Sequence, residues 1–191
     1  NYFKNNNHEL IITFFSPGAY KYLKEKLNIP CLLFPLDTKK NINQFIEQTC
    51  VKAILIAKNE IWPNLINTSF KKNIPVFIIA AKIKRSKIKN IIFGSLYCSL
   101  LKKINIIFIQ DEYSKKILNT KNIPSIVSGD PRIDQVILDH EKKVDNKLIK
   151  KFISKKEIIL AGSTEKSDYS IIKKLMNSDE KKWIIVPHKN T

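Results

Sequence analysis

Apolar residues fall along this chain in short β-branched runs, each followed by a stretch in which they recur every three or four positions. The first pattern predicts strands and the second amphipathic helices. "HELIITFFS" (8–16) reads as a strand and "PGAYKYLKEKLN" (17–28) as a helix opening on Pro17 and Gly18, since the first helical turn tolerates proline. "IPCLLFPLD" and "TKKNINQFIEQT" repeat the unit, with Asp37 or Thr38 as the helix cap. "VKAILIAKN" with "PNLINTSFKKN" is the third unit, and "IPVFIIAAK" with one long helix over "SKIKNIIFGSLYCSLLKK" the fourth. "INIIFIQD" and "EYSKKILNTKN" form the fifth, and "IPSIVSGD" is a closing strand. Strands alternating with helices in this way predict an α/β protein with a Rossmann-like parallel sheet.

Three helix ends carry the phrase "NIP", beginning at Asn28, Asn73 and Asn122. Asparagine tolerates the left-handed conformation that ends a helix and proline cannot continue one, so the phrase is structural punctuation. After "GDPRIDQVILDH" comes a polar, lysine-rich stretch, "EKKVDNKLIKKFISKKE", and the linker is placed over 136–156. Beyond it only two strands are predicted, "IILAGST" and "WIIVPHK", too few for an independent sheet. The expected organisation is therefore a domain over 1–135, the linker, and the start of a second domain over 157–191. The chain opens on Asn1 and reads as an excerpt of a longer polypeptide.

The formal charge of +17 would suit nucleic acid or an anionic membrane. The lysines are spread through every segment, however, and no nucleic-acid-binding motif accompanies them, so no nucleic-acid partner is expected. Diffuse lysines suffice for a membrane surface. The basic "KIKRSKIK" (82–89), followed by the half-apolar "IIFGSLYCSLL", is either such a surface or a helix packed on the sheet with its lysines in water. Cys31, Cys50 and Cys98 are far apart and odd in number, which implies neither a disulfide framework nor zinc. No apolar run reaches the roughly 20 residues of a spanning helix. His8, His140 and His188 are scattered and without partner motifs, so no metal site or Ser/His/Asp triad is expected.

Candidate chemistry lies where strands end, because open α/β sheets bind ligands at the carboxyl edge. Glu60, in "EIWPN", follows one strand and precedes a helix that opens on Pro63. Either it caps that helix while Trp62 fills a gap in the core, or it is a functional carboxylate. In "GDPRID", Gly129 permits a tight turn and Arg132 presents a planar fork suited to carboxylate or phosphate; the alternative is a structural ion pair with Asp130 or Asp134. In "AGST", Ser163 and Thr164 offer hydroxyls and amides to a phosphate or ribose, or are ordinary helix caps.

"ITFFSPGAY", "FPLDT", "NEIWPN", "NIPVFIIAA", "IFIQDEYSKKIL", "SGDPRIDQV", "LAGST" and "IIVPH" occur in this order across nearly the whole chain. In this the chain resembles the bacterial lipid A Kdo (3-deoxy-D-manno-octulosonic acid) transferases, most closely their Bacteroidetes branch. The resemblance implies a GT-B glycosyltransferase whose second domain is incomplete here and whose first βα unit, with the general base, lies before Asn1. It implies CMP-Kdo as donor, a lipid A precursor as acceptor, the cytoplasmic face of the inner membrane as location, and no cofactor. By the same resemblance Glu60 is an auxiliary acidic residue. Ser16, Gly129, Asp130 and Arg132 would bind substrate, and Ser163, Thr164 and His188 the donor. Lys189 departs from the acidic residue that usually follows this histidine. The rival readings are another GT-B nucleotide-sugar enzyme, such as an epimerase, and a non-catalytic basic α/β module.

Overall fold

β-Branched runs bounded by the "NIP" stops become parallel strands in the computed structural model, which describes residues 9–90, 93–142, 146–153, 157–178 and 181–188. The chain divides into two compact units, Asn1–Gln135 and Val136–Thr191.

The first unit opens with β1 (Ile12–Phe14), α1 (Pro17–Leu23), β2 (Cys31–Leu33) and α2 (Lys39–Thr49). It continues with β3 (Ile54–Ala57), α3 (Pro63–Lys71), β4 (Val76–Ala81), α4 (Arg85–Lys89) and α5 (Gly94–Leu101). β5 (Ile106–Ile109), α6 (Glu112–Asn119) and β6 (Ser125–Val127) close the series, and α7 (Pro131–Glu141) follows. β1 and β2 form a two-stranded parallel sheet, with Ile12 opposite Cys31 and Phe14 opposite Leu33. β3, β4, β5 and β6 lie side by side, all parallel. Among the described residues, β1 and β3 are not hydrogen-bonded to each other.

Alternate residues of the four-stranded sheet enter a continuous core. Ile56, Val76, Ile78, Ile107 and Ile109 pack with Ile42 and Ile46 of α2, Leu65 and Ile66 of α3, Leu100 and Leu101 of α5 and Leu118 of α6. The opposite sheet face is thinly covered: Leu55 is 51% exposed and Ile126 47%. Right-handed crossovers between successive strands account for this, since they place α3, α5 and α6 on the same side.

Two of the three asparagine stops are left-handed, Asn73 at φ 54° and Asn122 at φ 53°; Asn28 is not. The long helix expected over 86–103 is two helices, α4 and α5. Gly94 explains the packing of the second against the first, for a Cβ there would stand 2.5 Å from the carbonyl oxygen of Ile88. The two helices meet backbone to backbone, which a continuous helix could not do.

In the second unit α8 (Lys147–Ile153) precedes β7 (Ile158–Thr164), a 3₁₀ turn (Lys166–Asp168), α9 (Tyr169–Ser178) and β8 (Lys182–Pro187). β7 and β8 are parallel, with Ile159 opposite Trp183. Their register shifts between Gly162 and Thr164.

Candidate functional site

The helix that follows Glu60 is capped from a distance. Trp62 occupies the N-cap of α3 without a side-chain cap bond. Instead the Asp37 carboxylate accepts from the backbone N–H of Asn64 and of Leu65, both at 2.9 Å. Thr38, Asp37's neighbour, caps α2 by accepting from Asn41 N–H. Glu60 is therefore not the helix cap. It is exposed, and among the described residues its carboxylate has no hydrogen-bond or ion-pair partner.

Beside it, Trp62 does the packing that its residue type suggests. Its ring lies 5.0 Å from that of Phe15, after β1, and 5.0 Å from that of Phe34, after β2. Phe34 in turn packs on Phe45 of α2. Ser16 caps α1 by accepting from Ala19 N–H, and its hydroxyl is exposed. Neighbouring loops of this edge are tied together: Asn59 accepts from Lys82 N–H at 2.7 Å, and buried Ser114 accepts from Ile83 N–H at 3.0 Å.

At the end of β6, Gly129 takes φ 80° with open space around the position of a Cβ, so its backbone conformation is what favours glycine. Arg132 turns back on its own loop. Its Nε lies 3.0 Å from each carboxylate oxygen of Asp130, its Nη2 also donates to Asp130, and its backbone N–H does so at 3.0 Å. The Arg132 side chain, then its backbone N–H, hold the Asp130 carboxyl at a pKa of about 2, and Lys58 adds a weaker pull in the same direction. The ion pair with Asp130 is thus the one that forms; none forms with Asp134 among the described residues. Three guanidinium N–H groups remain for a ligand, because Arg132 commits only its Nε and one Nη2 hydrogen. The cluster of Asp130, Arg132 and Lys58 is exposed, apart from a carboxylate largely shielded by its arginine.

Glu60 and the Asp130–Arg132 loop follow the two outer strands of the four-stranded sheet, β3 and β6. Parallel strands put both at the carboxyl edge of the sheet. Lys58, left-handed at φ 63° in the loop after β3, exerts its pull on Asp130 from the same edge. Nothing in its residue type announced this role.

In the second unit the three sequence candidates come together. Ser163 is left-handed at φ 57°, at the point where the β7–β8 register shifts. Its Oγ is 3.0 Å from Nδ1 of His188, whose backbone N–H donates to Thr164 O at 2.9 Å. The Thr164 hydroxyl is buried and unpaired among the described residues. Capping does not account for these groups. Glu165 is the N-cap of the 3₁₀ turn, in a reciprocal box with Asp168. Lys189 and His8 lie outside the described residues. Among the described residues no three His, Cys, Asp or Glu side chains cluster as metal ligands, and no helix is long and apolar enough to cross a membrane.

Comparison with known proteins gives this edge a context. The chain is 29% identical to the 3-deoxy-D-manno-octulosonic acid transferase of Aquifex aeolicus over 187 residues, which is 94% of this chain and 47% of that protein. It is 29% identical to a bifunctional glycosyltransferase/methyltransferase of Fusobacterium nucleatum over 160 residues, 81% of this chain and 25% of that protein. It thus spans less than half the length of these relatives. Its fold is similar to that of UDP-GlcNAc 2-epimerase from Neisseria meningitidis, solved bound to UDP-GlcNAc, with a TM-score of 0.64 at 18% identity over 96% of this chain and 58% of that one. Such neighbours are of the GT-B type. Residues 3–135 match the family 3-deoxy-D-manno-octulosonic-acid transferase (kdotransferase), and to that family of glycosyltransferases the chain belongs.

Proposed function

We propose that the longer protein of which these residues form part transfers Kdo from CMP-Kdo to a lipid A precursor, with inversion, at the cytoplasmic face of the inner membrane. An acceptor hydroxyl oxygen bonds to the anomeric carbon of Kdo as the bond from that carbon to the CMP phosphate breaks. The electron pair leaves with the phosphate, and the hydroxyl proton passes to a base supplied by polypeptide outside these residues. Positive charge builds on the sugar in the transition state, and fixed negative charge nearby stabilises it.

The observation that carries this reading is the Glu60 carboxylate, held at the sheet's carboxyl edge with its capping duty taken by Asp37. Exposed and without a partner among the described residues, it orients a sugar or acceptor hydroxyl as an auxiliary to the base. Arg132, steadied by Asp130 and helped by Ser16 and the turn at Gly129, receives an anionic group of the substrates, Kdo's carboxylate or a phosphate. Ser163, Thr164 and His188 receive the CMP portion through hydroxyl and imidazole donors.

In the full-length protein, Glu60→Gln is expected to lower kcat with CMP-Kdo by about a hundredfold, in the range typical of a lost polar group acting in the transition state, with thermal stability unchanged. Unchanged kcat would remove Glu60 from the mechanism. Turnover of UDP-GlcNAc with no turnover of CMP-Kdo would favour the reading as another GT-B nucleotide-sugar enzyme, to which the fold of the Neisseria epimerase lends support.

A further inference from the structure

Burial alternates along β4 through Val76, Ile78 and Ala80, and a period of two would bring Lys82 inward next. The strand avoids this with one extra residue. Ile78 pairs with Ile107 and Ala81 with Ile109, so β4 takes three steps where β5 takes two. At this β-bulge Ala80 adopts φ 54° while buried. Ala81 and Ile83 become the inward residues, and the Lys82 side chain is turned out to 62% exposure. A buried alanine in the left-handed region is strained, and such strain persists only where its surroundings hold it. Gln110 supplies the hold: its Nε2 donates to Ala80 O at 3.0 Å and its N–H to Ala81 O at 2.9 Å.

The bulge thus delivers a cation to the carboxyl edge of the sheet. Lys82 N–H donates to Asn59 Oδ1 at 2.7 Å, which ties it to the loop that carries Lys58 and Glu60. Lys58 follows β3, yet its charge acts on Asp130 beyond β6, and β4, the strand that presents Lys82, lies between those two strands in the sheet. The nearby aspartates are engaged with the protein itself. Asp111 Oδ1 accepts from Ser114 N–H at 2.7 Å, and its Oδ2 stands 3.8 Å from Lys82 Nζ, too long for a hydrogen bond. Asp130 is 13% exposed beneath Arg132, which is itself 67% exposed. An anion arriving from solvent therefore meets ammonium and guanidinium groups before either aspartate. Among the described residues the Lys82 ammonium makes no hydrogen bond, so its three N–H donors stay available.

We propose that Lys82 is a further substrate-binding residue of this edge, and that with Lys58 and Arg132 it receives one phosphate monoester dianion, carried by the acceptor or by the released nucleotide. The inference rests on the reading of this edge as the substrate site and deepens it. A carboxylate has one negative charge and two oxygens, which the Arg132 fork alone can satisfy. A phosphate monoester carries nearly two charges on three terminal oxygens near neutrality, and the two lysines supply the cations that this larger charge calls for. Glu60, one residue past Asn59, remains for a neutral hydroxyl of the same substrates. The basic run at 82–89 divides accordingly: Lys82 stands at the sheet edge, whereas Lys84 caps α4 and Arg85 and Lys87 lie on it, exposed.

The test measures binding and uses neither Kdo nor turnover, so it can fail while the transferase reading stands, and the reverse. In the full-length protein at about pH 8, where a phosphate monoester is a dianion, calorimetric titration is expected to give methyl phosphate a Kd about tenfold or more below those of dimethyl phosphate and acetate, which carry one charge each. Lys82→Gln is expected to weaken methyl phosphate by about tenfold, as for the loss of one charge-assisted hydrogen bond, with the thermal midpoint in place, and Lys82→Arg to bind it as wild type does. Methyl phosphate that stays bound under saturating CMP supports the site with the acceptor as the source of the phosphate; methyl phosphate displaced by CMP supports it with the released nucleotide as the source. Equal affinity for the three anions, or none for any of them, would overturn the proposal. So would a Lys82→Gln protein that binds methyl phosphate as tightly as wild type.

Discussion

Asp37 and Glu60 are both carboxylates beyond the ends of parallel strands, yet among the described residues one is engaged at a helix start and the other has no partner. The division has a measurable signature. Asp37→Ala is expected to cost about 1 kcal/mol in thermal or urea unfolding of the full-length protein, as for loss of a helix cap, whereas Glu60→Gln should leave the same transition in place. Asp130 gives a pH signature. Its carboxyl is held at about 2 in the folded state, below the roughly 3.9 of an unfolded aspartate. The folded protein thus binds the proton less readily, and the ion pair stabilises fully above about pH 4 and progressively less as pH falls through the folded value. Comparing Asp130→Asn with wild type should show a stability gap that is constant near neutrality and closes toward pH 2. Glu60 was legible as a candidate from its place after a strand, and Arg132 from its residue type. Asp37 as the cap of α3 was not, because the amides it binds lie 27 and 28 positions away and no local pattern encodes such a pairing. The contact between Ser163 and His188, separated by 25 positions, was hidden for the same reason.

Periodicity marked nearly every strand and helix of both units, since each buries one face and the burial repeats at the period of its own geometry. Where it failed was at 86–103, read as one helix. Apolar spacing runs through the break, and the cause of the break is a close approach in three dimensions. Gly94 would set a Cβ 2.5 Å from Ile88 O, so Gly94→Ala should act against the usual trend. In an ordinary helix interior this exchange stabilises by about 1 kcal/mol. Here it is expected to lower the unfolding midpoint, because backbone atoms on both sides must separate. Pairing of strands was also beyond reach of the pattern: the runs identify β1 and β3 as strands without saying that neither bonds to the other.

For the molecule as a whole, the charge of +17 comes from 34 basic and 17 acidic residues spread along the chain. Such a surface attracts anionic lipid diffusely, through a field that salt screens within about 8 Å at physiological ionic strength. Co-sedimentation of the full-length protein with vesicles containing phosphatidylglycerol is therefore expected to fall steeply between low and high salt, while vesicles of phosphatidylcholine alone retain little protein at any salt. The parallel α/β class was legible from alternation alone, and the family from eight ordered phrases. The ring cluster of Phe15, Phe34 and Trp62 adds an optical handle. The chain has just two tryptophans, Trp62 in the first unit and Trp183 in β8 of the second. Each half thus carries its own indole fluorophore, and replacing either one converts the emission spectrum into a private reporter of the other, with Trp62 placed two residues from the carboxylate whose occupancy matters most.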